Sequence, residues 1–119
     1  MPKTIETPLG RITIVEEVIA TIAGVAAIDC YGLVGMASRR QVKDSLTELL
    51  GRENPGRGVE VRISDETMEI DLYTIVSYGV NIYEVAQNVR EKVRYVIQES
   101  LGVETSKVNI FVQGVRVSQ

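Results

Sequence analysis

Few side chains in this sequence can do chemistry, and each sits in a setting that weakens it. No histidine occurs in the 119 residues, which removes the commonest general base and metal ligand. The single cysteine, Cys30, follows Asp29 in an apolar neighbourhood. A negative neighbour raises a thiol pKa, the wrong direction for a nucleophile. Gly51-Arg52-Glu53-Asn54-Pro55-Gly56-Arg57-Gly58 has the glycine spacing of a phosphate-binding loop. Arg57 stands where the lysine belongs, Gly58 stands where the magnesium-binding hydroxyl belongs, and the stretch precedes a strand instead of a helix. Asp65, Glu66, Glu69 and Asp71 gather four carboxylates at one turn, a set of hard oxygens that would suit a hard cation. They match no calcium-loop spacing, and Glu69 and Asp71 fall on a face expected to be solvated. These residues point to a protein that is not an enzyme and holds no cofactor or metal.

One further pattern carries an alternative. Gly32-Leu33-Val34-Gly35 is a G-x-x-G between two helical stretches, and the order strand, helix, helix, strand, strand, helix invites comparison with a KH-type RNA-binding module. Arg39, Arg40 and Lys43 follow it and would supply phosphate contacts. Against this, the middle positions of such a loop grip the nucleic-acid backbone, and here they are Leu33 and Val34. The net charge is −3, with one phenylalanine and no tryptophan for base stacking. A glycine-bounded strand entering a sheet accounts for the same residues.

The elements that must position these groups are organised around residues 68–117. Ile82, Val85, Ala86, Val89, Val93, Val96, Ile97 and Leu101 recur at helical spacing, a stripe that has to be buried. Asn81 with Glu84 marks its start and Gly102 its stop. On either side Ile70, Leu72, Thr74 and Val76, then Val108, Ile110 and Val112, alternate as strands do. Val59, Val61 and Ile63 form another strand, joined through Ser64–Thr67 to a return strand from Met68 to Tyr78, so that Arg62 faces Glu69 or Asp71. Ahead of these, Thr4–Thr7 and Arg11–Thr13 are weak extended segments about a Pro8-Leu9-Gly10 turn, Leu33–Ala37 is a weak strand, and Gln41–Leu50 is a helix with Val42, Leu46, Leu49 and Leu50 on one side. The expected fold is α+β: residues 1–119 as a single two-layer domain, a small mixed or antiparallel sheet with the long C-terminal helix on one face. Apolar content of 45% supplies its core.

The helix beginning near Ile14 to Glu16, with Thr13 as its cap, has a different character. Between Glu17 and Asp29 its only polar side chain is Thr21. A helix apolar nearly all round is central or touches a partner. Its small residues Ala20, Gly24 and Ala27 form the candidate wet side and the candidate interface, since small side chains let two backbones approach closely. No apolar run approaches the ~20 residues of a membrane span. Together with one cysteine and no apolar leader, this gives the expectation of a soluble protein in a reducing compartment, without direct membrane insertion.

Two blocks resemble the bacterial alkaline shock protein family, small envelope-stress-response proteins of Gram-positive bacteria. The first runs from Thr7-Pro8-Leu9-Gly10-Arg11-Ile12-Thr13-Ile14 through the apolar helix to Tyr31-Gly32-Leu33-Val34-Gly35-Met36. The second runs from Val59-Glu60-Val61 through Ile70-Asp71-Leu72-Tyr73, Tyr78-Gly79 and the long helix to Val108-Asn109-Ile110. The sequence is similar to the compact housekeeping branch, without long polar tails. The resemblance implies a cytoplasmic, non-enzymatic protein that works by protein–protein contact. It implies a homo-oligomer or a membrane-anchoring protein partner that holds the chain at the membrane periphery, and a role in cell-envelope homeostasis.

Overall fold

The computed structural model describes residues 2–37, 56–64 and 67–117. The helix expected over Gln41–Leu50, the proposed nucleic-acid contacts Arg39, Arg40 and Lys43, and the turn residues Asp65 and Glu66 lie outside them.

A four-stranded mixed sheet is built around one central strand, β5 (Met68–Ser77). Its residues Met68, Ile70, Leu72, Thr74 and Val76 are all buried on one face, as the period of two requires. Along one edge lie two shorter strands end to end, β3 (Leu33–Met36) and β4 (Val59–Ile63). The second pairs antiparallel with Met68–Leu72, the first with Thr74–Val76. They meet opposite Tyr73: the Ala37 amide donates to its carbonyl (2.7 Å), and its own amide donates to the Gly58 carbonyl (2.8 Å). Gly58 has φ +80°, and a Cβ there would lie 2.3 Å from the Ala37 oxygen, so the join needs a glycine. The other edge is β6 (Lys107–Arg116), which runs parallel to β5. Parallel neighbours need a crossover connection, and that connection is the long helix, α2 (Ile82–Leu101).

The start and stop signals for α2 have structural counterparts, and its apolar stripe is buried in part: Ile82, in the first turn, is 43% exposed. The Asn81 side chain accepts a hydrogen bond from the Glu84 amide at 3.0 Å. Gly102 adopts φ 72° and its amide donates to the Gln98 carbonyl at 2.8 Å. Val85, Val89, Val93 and Ile97, one turn apart, are buried, and they join Ile70, Leu72, Val76 and Val108 in the core. Thr74, a polar residue on the core-facing side of β5, is fully buried and donates its hydroxyl to the Phe111 carbonyl (3.1 Å), which removes the cost of a buried unpaired group.

The first helix, α1 (Glu16–Ile28), packs against α2, β3 and β4 through Ile19, Ala23, Ala26 and Ala27. Thr13 is not its cap. Val15 holds that position with no side-chain hydrogen bond, because Thr13 belongs to a strand. That strand, β2 (Gly10–Ile14), pairs antiparallel with β1 (Lys3–Thr7) in full register from Lys3↔Ile14 to Thr7↔Gly10, a complete hairpin where the sequence suggests only weak extended segments. The Thr7 hydroxyl closes its turn, accepting from the Leu9 amide and donating to the Gly10 carbonyl, both at 3.2 Å. The hairpin is a second sheet, separate from the first.

Candidate interaction surfaces

The reactive residues are held in structural roles. Cys30 is half-buried at the end of α1, its thiol donating weakly to the Ala26 carbonyl (3.6 Å). Burial pushes the thiol pKa up; Lys92 opposes and Asp29 adds to the shift. The group is therefore kept in its non-nucleophilic form. Asp29 in turn pairs with Lys92 of α2 at 3.6 Å.

Arg62 on β4 binds both Glu69 and Asp71 on β5, where the sequence suggests one or the other. These two hydrogen bonds, to Asp71 first and Glu69 second, raise the guanidinium pKa still further above its usual range. Asp71 also accepts from the Asn109 side chain at 2.8 Å. The expectation of a solvated acidic face is corrected here: Asp71 is only 4% exposed, and its charge is compensated by Arg62 and Asn109. Among the described residues no three metal-ligating side chains converge. Beside the network Tyr73 stacks on Phe111, ring centroids 4.9 Å apart, a cross-strand pair that adds to sheet stability.

The G-x-x-G stretch enters the sheet at β3, with Leu33 buried and Val34 37% exposed. Leu33 pairs with Val76, and Gly32 (φ +90°) lies so close to α2 that a Cβ would be 2.6 Å from the Val85 side chain.

The open side of α1 differs from the expected one. Gly24 and Ala27 are buried and Ala20 is half-buried, where a Cβ on Gly56 would lie 3.3 Å from the Ala20 Cβ. The small-residue track therefore faces the fold's own interior, where short side chains permit close approach. The uncovered residues are the large ones: Val18 (44% exposed), Val25 (55%) and Ile28 (47%). A helix apolar all round carries no phase in its hydropathy, so the sequence cannot tell one side from the other. With Gly24 buried, Gly24→Leu overpacks the core. We expect it to cost about 1–3 kcal/mol, a fall in melting temperature of about 4 °C per kcal/mol for a domain this size, with no change in mass by light scattering. An unchanged melt would place Gly24 outside the packed interior.

Val25 and Ile28 open onto a groove of about 540 Å³ between α1 and α2, lined also by Thr21, Ile22 and Val96 and bordered by the Asp29–Lys92 pair. It is apolar along its floor and charged at one end. No sequence signal marks it, because it joins residues some seventy positions apart.

Comparison with known proteins covers nearly the whole chain. Residues 4–117 match the alkaline shock protein 23 family, described as having a cell envelope-related function. An uncharacterised Bacillus subtilis (strain 168) protein, YloU, is 55% identical over 114 residues, spanning 96% of this chain and 95% of its own. An uncharacterised Streptococcus pyogenes serotype M6 protein, Spy1614, is 40% identical over 98% of this chain and 97% of its own. A second uncharacterised B. subtilis protein, YqhY, is 34% identical over 93% of this chain and 81% of its own. No solved structure matches. The chain belongs to the alkaline shock protein 23 family, whose function is cell envelope-related.

Proposed function

We propose that this chain is a non-enzymatic envelope-stress-response or scaffold protein of the cytoplasm, acting through protein–protein contacts near the membrane, with the α1–α2 groove receiving a membrane-anchoring partner. The observation that carries this reading is the pair Val25 and Ile28, 55% and 47% exposed, lining that groove. Exposed apolar surface gathered in one concave place marks an interaction site more strongly than the same residues scattered singly. The Asp29–Lys92 pair at the rim would set the orientation of what binds, as rim charges do. Among the described residues no helix is long and apolar enough to cross a membrane; in this reading the partner supplies the attachment.

The test replaces Val25 and Ile28 together with glutamate. Both side chains are about half exposed, so the fold should tolerate the change. We expect the double variant to melt within a few degrees of the parent and to lose its co-sedimentation with membrane vesicles prepared from its own cell. Sedimentation equal to the parent's, at equal melting temperature, would remove the groove from the function.

A further inference from the structure

We infer that the segment seated in the α1–α2 groove is an amphipathic helix of the partner, with lysine or arginine flanking its apolar stripe, as in a stretch beside a membrane span. This names the partner's chemistry, and it rests on the groove being the partner's site.

The walls exclude an extended guest. Both are helices, α1 (Glu16–Ile28) and α2 (Ile82–Leu101), whose backbone groups are bonded within themselves except in the end turns. A strand docks by pairing with free backbone groups at a sheet edge, and helix walls offer side chains instead. The groove runs from the Asp29–Lys92 pair at one end to Thr21 and Val96 at the other, over a floor of Ile22, Val25 and Ala26. From Thr21 to Asp29 is about 12 Å of helix, roughly two turns. A guest helix covers that length with apolar residues at i, i+4 and i+7 on one face.

The rim sets the sign of the guest. Asp29 and Lys92 pair with each other, their side chains 75% and 43% exposed. Within one turn of the lining residues, the two helices carry only two further charges. Glu17, which also borders β4, precedes Thr21 by one turn, and Glu99 follows Val96 by one turn. Both are exposed, and neither has an ion pair among the described residues. α1 has no basic residue in its last turn, so the negative end of its dipole adds to the charge of Asp29. Three carboxylates therefore stand against one ammonium, and that ammonium is already engaged. Rim charges select partners by penalising like charge. An acid-flanked helix is disfavoured, and so is a second copy of this chain, which brings the same excess of carboxylates. Membrane proteins carry lysine and arginine in the cytoplasmic stretches next to their spans. A partner that anchors this chain thus supplies the sign that the rim lacks.

Three peptides of about 18 residues, roughly five turns, serve as probes. The first has leucines at helical spacing flanked by lysines. The second has glutamate in place of each lysine. The third is the first with a central proline, which breaks a helix. By fluorescence anisotropy and circular dichroism, the parent should bind the lysine peptide, which gains helix signal, and neither of the others. Val25→Glu with Ile28→Glu should abolish that binding. Glu17→Gln with Glu99→Gln should melt within a few degrees of the parent and weaken it about fivefold. Equal binding of the glutamate peptide, equal binding of the proline peptide, or no binding of any would each overturn the proposal. So would a mass by light scattering that rises with concentration in the parent but not in Val25→Glu with Ile28→Glu, since a second copy would then fill the groove. Vesicle sedimentation separates this proposal from the one beneath it. Loss with Val25→Glu and Ile28→Glu but none with Glu17→Gln and Glu99→Gln would reject a basic guest and keep the groove as the partner's site. No loss with either pair would reject both.

Discussion

Val89→Asp should abolish the cooperative melt of this protein. Val89 is fully buried at the middle of the α2 stripe, one turn from Val85 and Val93, within a single cluster that includes Ile19, Ile70 and Leu72. A carboxylate there must either stay charged without a partner or take up a proton and remain a polar group without one. Either way the cost is several kcal/mol, against a total stability of about 5–15 kcal/mol for a domain of this kind. The control is Asn88→Asp, which introduces the same carboxylate at the adjacent, exposed position and should shift the melt little. Circular dichroism melts of the two variants beside the parent decide it. A Val89→Asp protein that melts like the parent would mean that α2 is turned differently against the sheet.

The second large effect is expected at the join of the two edge strands. Gly58→Ala adds one methyl group at φ +80°, where it would lie 2.3 Å from the Ala37 carbonyl oxygen and 3.1 Å from that of Tyr73. Both are backbone atoms, the Tyr73 oxygen accepts from the Ala37 amide, and the Gly58 carbonyl itself accepts from the Tyr73 amide, so the junction cannot make room without disturbing that pairing. The left-handed conformation alone costs a side-chain-bearing residue about 1–2 kcal/mol. Displacing two backbone hydrogen bonds at roughly 1 kcal/mol each brings the total to on the order of 3 kcal/mol or more. Gly102→Ala separates the two contributions: Gly102 has φ +72°, but nothing lies within 4 Å of its Cβ position. We expect Gly58→Ala to lower the melting temperature clearly more than Gly102→Ala, and to speed hydrogen exchange at Ala37 and Tyr73. Equal losses for the two variants would show that β3 and β4 are not clamped together at that point.

The contrast between those two sites reflects what a sequence can carry. The long helix is legible because its signals are local and mutually consistent: Asn81 at the start, Gly102 at the stop, and a valine stripe between them. β5 is legible because one face of it is buried, and burial on one face imposes alternation on Ile70, Leu72, Thr74 and Val76. Three features are not legible, for a common reason. The phase of α1 is lost because Val18 to Ile28 is apolar on every side, so the burial of Gly24 and the exposure of Val25 depend on what packs against it. The meeting of Ala37 with Gly58 is a contact between strands distant along the chain, and the glycine there reads as one more turn residue. The groove unites Val25 with Val96, and the sequence of either helix alone gives no hint of the other. Asp71 adds a subtler case, since its place on an outward strand position predicts water. Arg62 and Asn109, brought in from two neighbouring strands, cover it instead.

The proposed attachment to the membrane through a protein partner can be tested in one sedimentation experiment. The unmodified protein is spun with three preparations: membrane vesicles from its own cell, the same vesicles stripped with protease, and protein-free vesicles of the same lipids. An apolar groove that receives a protein predicts sedimentation with the first preparation alone. Equal sedimentation with stripped or protein-free vesicles, or none with any of the three, would contradict it.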